Sequence, residues 1–468
     1  MKILITGATG FVGIALCEVL GREGHELVVI SRDPYRARTL IPAPHRAIKW
    51  DFSKSQIPDH LELLQDINAV IHLAGEPILG RRWSAQFKNQ LYSSRVVHTR
   101  NLISLLKSHG KEFPKIFISA SAIGFYGDRG NEVLDESSIV GDGFLAQLCQ
   151  DWEKVLSDLP INTTRKVALR TGIVLGKGGG ALEQMIDPFS QGLGGVLGEG
   201  SQWMSWIHID DLVSIITESL VNDQLSGAIN CCAPRPVTNL EFTQELLKTL
   251  NKSRLLTIPK IALKAVLGEG AVVLLSSQRV TPTQVIKAGY SFKYPNLESA
   301  LMELLGESYS LGYSDFQQKC WISLPIQEVF KFFSDASNLE KITPPWLGFQ
   351  VLAQSSSEIK IGTTIDYRLK IHGIPIRWRT EISSWNPPRE FTDIQLKGPY
   401  HTWKHTHRFS ELRNGTLMED RVLYKLPMGF LGKAVAGSYV KKDVAKIFKY
   451  RNTKIYELLF NHQGSVGK

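Results

Sequence analysis

The chain has no apolar run approaching the roughly 18 residues that a helical membrane span needs, and its 468 residues contain no internal repeat and no low-complexity tract. Membrane-spanning, solenoid and disordered classes are therefore not expected. Cysteine is scarce. Cys17, Cys149, Cys231, Cys232 and Cys320 are odd in number, scattered and without metal-ligand spacing, so disulfides are not expected and a reducing, cytoplasmic or stromal compartment is. The first residues lack the basic stretch, apolar core and cleavage site of a targeting segment. Lys2-Ile3-Leu4-Ile5-Thr6 instead reads as a buried strand running into a glycine-rich turn. Charge excess is also missing from most of the chain, because residues 1–309 carry 31 Lys/Arg against 31 Asp/Glu. The whole net charge of +9 arises in residues 310–468, with 23 against 14. Those positive residues are dispersed through apparent strands, which predicts a solvated basic surface and no nucleic-acid module.

What is present is a soluble globular composition, 43% hydrophobic and 21% charged, in a chain long enough for two or three domains. Up to about residue 235, short apolar runs alternate with longer helical patterns. Ile3–Thr6, Leu27–Ser31, Ala69–Ala74, Ile116–Ala120, Val167–Arg170 and Ala228–Cys232 read as strands, predicting an α/β fold with a doubly wound parallel sheet. Residues 236–305 turn helical, with Asn239 before Leu240-Glu241-Phe242 read as a capped start. The spacing predicts a first domain over 1–303, a linker over 304–314 and a second, α+β domain over 315–468. The second domain opens with a short helix over Pro325–Asp335. It continues with antiparallel strands over Thr364–Ile371, Ile376–Trp385, Glu390–Leu396, Thr402–Phe409 and Thr416–Tyr424, and closes with a long helix over 437–460.

Gly7-Ala8-Thr9-Gly10-Phe11-Val12-Gly13 lies between the first strand and a helix over Ile14–Leu20. One glycine permits the tight turn, one lets backbone approach a pyrophosphate, and one allows close packing of helix on sheet. Gly7, Thr9, Gly10, Phe11, Val12 and Gly13 are accordingly the expected cofactor-binding residues. The second strand ends at Ser31-Arg32, where an acidic residue would bind the ribose 2′-hydroxyl of NAD. Arg32 offers a charge partner for a 2′-phosphate, so NADP(H) is the expected cofactor. Gly178-Gly179-Gly180 lacks the Lys-Ser/Thr ending of a triphosphate loop and is expected to be a flexible loop.

The same glycine spacing, with His72-Leu73-Ala74-Gly75, Ser119-Ala120-Ser121, Phe125-Tyr126-Gly127 and Trp206-Ile207-His208-Ile209-Asp210-Asp211, resembles extended short-chain dehydrogenase/reductases. Gly75-Glu76-Pro77-Ile78, Arg81-Arg82-Trp83, Ser94-Arg95 and Gly124–Gly130 narrow the resemblance to an epimerase-like subfamily whose members are sometimes labelled cell-division-inhibitor proteins. The resemblance covers residues 1–303, with 252–303 similar to that subfamily's C-terminal extension. It implies that Asp51 contacts the adenine and that Leu73, Ala74 and Gly75 line the cofactor cleft. Relatives use a tyrosine that exchanges a proton with substrate, a lysine four residues later and a nearby serine. The register set by Glu153 puts Leu145 at the tyrosine position and Cys149 at the lysine position. Ser121 is the remaining member, and Arg95 stands where relatives commonly have asparagine. Three outcomes follow. An atypical reductase or epimerase recruits Tyr126, Cys149 or Arg95. A scaffold senses NADP(H) without turnover, in a setting such as cell or plastid division. Or hydride transfer takes its proton from solvent.

Leu324-Pro325, Val329-Phe330, Asn338-Leu339, Thr343-Pro344-Pro345-Trp346, Gly398-Pro399-Tyr400 and Trp403 with His405 and His407 resemble helix-grip, START-like or polyketide-cyclase-like domains over about 315–462. That resemblance implies a cavity for an apolar or amphipathic ligand. His401, Trp403, His405 and His407 share strand parity, yet successive same-face positions extend over about 20 Å. Pocket lining or a hydrogen-bonded aromatic cluster is therefore expected, with no metal. His208 with Asp210 and Asp211 likewise reads as a wall segment and not as a metal site.

Overall fold

Runs of β-branched residues with buried side chains on both faces build the first sheet. Its strands are β1 (Lys2–Thr6), β2 (Glu26–Ser31), β3 (His45–Lys49), β4 (Ala69–His72), β5 (Ile116–Ala122), β6 (Arg165–Thr171) and β7 (Gly227–Cys231). The computed structural model describes residues 1–54, 58–160, 163–427 and 429–460. Contacts divide the chain into one unit of Met1–Arg38 with His45–Gly306, and another of Thr39–Pro44 with Glu307 onward.

In the first unit the strands pair in parallel in the order β7-β6-β5-β4-β1-β2-β3. Every residue of β4 is buried, as a parallel strand covered by helices on both faces requires. The chain runs outward from β1 through β2 to β3 and then returns to β4 on the other side of β1. The gap beyond the carboxyl ends of β1 and β4 is therefore the topological switch point where such sheets bind ligands. Helices α1 (Phe11–Arg22), α2 (Ala85–Tyr92), α3 (His98–His109), α4 (Phe144–Lys154) and α5 (Ile209–Val221) belong to this unit. The sequence pattern passed over β3 because it is an edge strand, His-Arg-Ala-Ile-Lys, with only Ile48 buried. In the helical segment beyond β7, the cap is Thr238, one residue before the expected Asn239. Thr238 and Glu241 form the reciprocal capping box that a Thr-x-x-Glu spacing allows.

The second unit is a seven-stranded antiparallel sheet. Its strands are β8 (Ser314–Ile322), β9 (Gln350–Gln354), β10 (Thr364–Ile371), β11 (Ile374–Asn386), β12 (Glu390–Lys397), β13 (Thr402–Leu412) and β14 (Gly415–Lys425), in the order β8-β14-β13-β12-β11-β10-β9. Between β8 and β9 lies the short helix α6 (Ile326–Phe333), and the long helix α7 (Gly429–Phe460) follows β14. Val444 and Phe448 of α7 pack against Val422 and Tyr424 of β14, and Ile455 and Leu459 join the core that holds α6. This is the helix-grip arrangement, with the sheet face applied to the final helix. Residues 304–314 carry a helical turn, Glu307–Ser310, before β8 begins at Ser314.

Phe330 is the centre of that core, with its ring 5.2 Å from Trp385, 5.9 Å from Phe391 and 5.5 Å from Phe409. Phe330→Ala should cost about 3–5 kcal/mol, the usual range for deleting a buried phenylalanine. Urea titration followed by tryptophan fluorescence would read this, and a loss under about 1 kcal/mol would show that the cluster does not organise the unit.

Candidate functional site

The turn after β1 is shaped by close backbone approach. Gly7 has φ +71°, and a Cβ there would lie 2.6 Å from the backbone carbon of Leu73. A Cβ on Gly13 would come within 2.2 Å of the Gly7 carbonyl oxygen. These contacts admit only glycine, and they set the start of α1 against the end of β4. The Ala74 amide donates to Thr6 Oγ1 at 3.3 Å, completing the join. Gly10 caps α1 without a side-chain hydrogen bond, and no acidic residue stands in the first turn. The leading amides of α1 thus face outward with no competing carboxylate, and together with the helix dipole they fit the pyrophosphate of a dinucleotide.

Arg32 follows β2 and is exposed, while the carboxylate of neighbouring Asp33 accepts from the Arg36 amide at 2.9 Å. Asp51 accepts from the Ser53 hydroxyl at 2.7 Å and its amide at 3.0 Å, which hold its pKa down with help from Lys54 and Arg32. Gly179 and Gly180, of the Gly178-Gly179-Gly180 loop expected to be flexible, pack on Phe11, as does Gly176 before them. A Cβ at Gly179 would lie 2.5 Å from the Phe11 ring and one at Gly176 2.6 Å from it. The signal for this was present as glycines with no Lys-Ser/Thr ending, but their partner lies far away in sequence.

Of the four residues singled out for chemistry, Ser121 and Tyr126 fall on one hydrogen-bonded network, and Arg95 and Cys149 lie outside it. Arg95 sits in a π-helical turn, Ser93–Val97, is 8% exposed, and donates to the Glu76 carbonyl at 2.9 Å. A Cβ on Gly75 would be 3.5 Å from its guanidinium carbon, so Arg95 flanks the loop after β4. Cys149 lies under Gly124, where an added Cβ would meet its sulfur at 3.7 Å. Burial pushes the Cys149 thiol up to about 12, further raised by Glu153 and opposed by Arg95. At neutral pH it is a neutral thiol beside Leu145. Ser121 donates to Glu153 Oε1 at 2.6 Å. Glu153 is also gripped by Arg170 in a fork, with Nε at 2.9 Å and Nη2 at 2.8 Å. Arg170 Nη1 donates to the Tyr126 hydroxyl at 3.0 Å, and that hydroxyl donates to Asn230 at 2.7 Å. Tyr126 is wholly buried, and burial pushes its pKa up to about 12 against the influence of Arg170. Both polar valences of Tyr126 are therefore taken up inside the protein.

Sequence reasoning missed Arg170 and Glu153 as partners. Arg170 was visible only as the end of a strand, and Glu153 only as a register mark. The wall segment also gains a defined task. His208 caps α5 and lies 3.1 Å from Glu303, while buried Asp211 accepts from the Tyr290 hydroxyl and the Lys293 and Tyr294 amides. It thereby fastens Tyr290, Lys293, Tyr294 and Glu303 to the start of α5. In the second unit, β13 buries His405 and His407, and His401, just before the strand, is exposed. No helix among the described residues is long and apolar enough to cross a membrane.

Three family models match the chain. Residues 3–232 match the NAD dependent epimerase/dehydratase family, 258–304 a domain of unknown function (DUF1731), and 322–448 the polyketide cyclase / dehydrase and lipid transport family. The chain is similar to "Epimerase family protein SDR39U1 homolog, chloroplastic" of Arabidopsis thaliana, with 40% identity over 310 residues, 65% of this chain and 87% of that one. It is 36% identical to "Epimerase family protein SDR39U1" of Homo sapiens over 310 residues, 65% of this chain and 100% of the human protein. The crystal structure of human SDR39U1 (isoform 2) with NADPH matches with a TM-score of 0.58 and 34% identity, covering 66% of this chain and 100% of that one.

Two predictions follow from the network. Glu153→Ala strands a buried guanidinium and should cost about 3–5 kcal/mol, read by chemical denaturation; a change within about 0.5 kcal/mol would mean that Arg170 is not dependent on it. His72 is buried between Thr6 Oγ1 at 2.6 Å and Thr99 Oγ1 at 2.9 Å, and burial lowers its pKa from 6.5 to about 3. Its folded pKa lies below the unfolded value, so the unfolded chain takes up the proton first. The His72 contribution is therefore complete above about pH 6.5 and is lost toward pH 3, at up to about 1.4 kcal/mol per unit. His72→Asn should flatten the fall in stability between about pH 6 and 4; parallel curves for the two proteins would remove His72 from the account.

Proposed function

The chain belongs to the NAD-dependent epimerase/dehydratase family, and from that premise we propose that residues 1–306 use NADP(H) to exchange a hydride with a small molecule bound beyond the ends of β1 and β4. NADP(H) is the cofactor, as family membership, the NADPH-containing human structure and the α1 cradle together indicate. When bound, it supplies the hydride chemistry. In this reading the amides around Gly7, Thr9, Gly10, Phe11, Val12 and Gly13 hold the pyrophosphate, and Arg32 pairs with the 2′-phosphate. Asp51 contacts the adenine edge, and Leu73, Ala74 and Gly75 line the nicotinamide side. Ser121 is fixed by Glu153, keeping its oxygen as an acceptor for a substrate hydroxyl. Arg95 favours a substrate carrying an anionic group nearby. Leu145 and neutral Cys149 form an apolar wall, Tyr126 serves the buried network, and the accompanying proton comes from solvent. Residues 315–460 hold an apolar or amphipathic ligand, and the five free, buried cysteines suit a reducing compartment such as the cytoplasm.

The observation that carries this reading is the bare, acid-free start of α1 between Gly7 and Gly13, with Arg32 beyond it. The neutral pair Leu145 and Cys149 favours a second reading, in which NADP(H) occupancy sets conformation without turnover, the class of role implied by the cell-division label. Calorimetric titration with NADPH and NADH separates the questions. NADPH should bind more tightly than NADH, and Arg32→Ala should weaken NADPH alone by about tenfold or more, about 1.4 kcal/mol. Equal weakening of both cofactors would refute the 2′-phosphate role. Binding without NADPH oxidation across aldehydes, ketones and sugar nucleotides would leave the sensing reading.

A further inference from the structure

Three adjacent strands of the second unit bring together a buried cluster that no step above uses. Asp393 of β12 stands opposite His405 of β13, and His407 stands opposite Asp420 of β14. His405 Nε2 donates to Asp420 Oδ1 at 2.9 Å. His407 Nδ1 lies 2.7 Å from the same oxygen. The opposite ring nitrogens, His405 Nδ1 and His407 Nε2, are 3.6 Å and 4.0 Å from Asp393 Oδ2. One donor atom from each of Asp393, His405 and His407 lies within 4.8 Å of the others. His405, His407 and Asp420 are 6%, 3% and 5% exposed.

We propose that Asp393 Oδ2, His405 Nδ1 and His407 Nε2 bind one divalent first-row transition-metal ion, with Asp420 orienting both imidazoles from behind and one coordination position open. The donors need little movement, since bonds of about 2.0 Å in a tetrahedron place ligand atoms about 3.3 Å apart. A carboxylate on the far nitrogen of a ligating histidine is the usual device for fixing its tautomer and orientation. Asp420 stands at that nitrogen of both rings. Two imidazoles and one carboxylate with an open position form a donor set for zinc, iron(II) or cobalt(II), and not for magnesium or calcium. Phe391 stacks on His407 at 4.3 Å and Phe448 meets His405 edge-on at 5.3 Å, giving the site an apolar surround.

Charge also favours a cation. Beside the two carboxylates and two imidazoles, the charge of the Arg451 guanidinium acts on Asp393. With both imidazoles neutral, that set retains one uncompensated negative charge in a buried place, which is costly. A dication reverses the balance to a single positive charge, which an anionic fourth ligand neutralises. Arg451 is 9% exposed with Nε and Nη2 unpartnered, so it has donors to spare for that ligand. The expectation of no metal weighed His401 to His407 along one strand; Asp393 enters from the neighbouring strand. The rival arrangement is a metal-free cluster balanced by one protonated imidazole.

The test uses the full chain, stripped with chelator and titrated with Co2+. The expected result is one Co2+ per chain with visible ligand-field bands, displaced by one Zn2+. His407→Ala and Asp393→Asn should abolish the bands, and exposed His401→Ala should leave them unchanged. Asp420→Asn should keep the bands and weaken affinity about 10–100-fold. Absence of bands in the unaltered chain overturns the proposal with no variant needed, so a misfolded mutant does not protect it. Bands that survive both His407→Ala and Asp393→Asn overturn it as well.

Discussion

The buried fork between Arg170 and Glu153 is the interaction on which the candidate site depends. It joins β6 to α4, and through single hydrogen bonds it reaches Ser121 on β5, Tyr126 after β5 and Asn230 on β7. The guanidinium also lies 3.5 Å from the centre of the Phe125 ring. A charge pair removed from water is a poor source of net stability, because desolvation cancels most of the attraction. Its effect is to fix geometry. With its polar atoms answered, alternatives that break the fork leave a charge unpaired, so the residues it joins have one arrangement.

That arrangement asks nothing of Leu145 or Cys149, which stand where the family resemblance led one to expect a tyrosine and a lysine. Leu145 and Cys149 lie one helical turn apart on α4, and Glu153 lies one turn further along the same face. Where a lysine would bring a permanent charge, Cys149 brings a small neutral group that fits beneath Gly124. The positive charge of the region comes instead from Arg95, on the π-helical turn across the cleft, and from Arg170 behind it. Arg95 is spoken for by the Glu76 and Leu91 carbonyls and the Ser94 hydroxyl, so it acts as a positioned field and not as a proton donor. Fixed positive charge here stands beside a thiol that burial keeps neutral.

The parts of the first unit legible in the sequence were those with local causes. The parallel sheet followed from apolar runs, and the phosphate turn followed from glycines whose spacing matches a strand, a turn and a helix. The edge strand β3 was illegible because only Ile48 is buried, so no run exists to detect. The shift of the helix cap from Asn239 to Thr238 was decided by a residue three positions on, Glu241, whose carboxylate reaches back to Thr238. Propensity at a single position could not have chosen between the two. Arg170, Glu153 and the Phe11 packing of Gly176–Gly180 were hidden for a different reason, since each depends on elements that meet only after the sheet closes.

The second unit sharpens the distinction between reading along a strand and reading across a sheet. Parity along β13 correctly puts His405 and His407 on one buried face, and the same parity makes His401 look equivalent although it lies exposed near the strand end. Spacing along one strand is about 7 Å for each same-face step, too long for His401 to share an ion with His407. Across the ladder the separation is only about 5 Å, so a residue twelve positions away in sequence can stand closer to the point of interest than a residue six positions away. Asp393 is such a residue, and Asp420 is its counterpart on the other side. Neither carries any mark in the sequence that sets it apart from other strand carboxylates. What distinguishes them is hydrogen-bond register, which is fixed by the lengths of the turns between β12, β13 and β14 and by the burial of alternate side chains on all three strands. The chemistry available to this face was thus written in the pairing of the strands more than in the residues of any one of them.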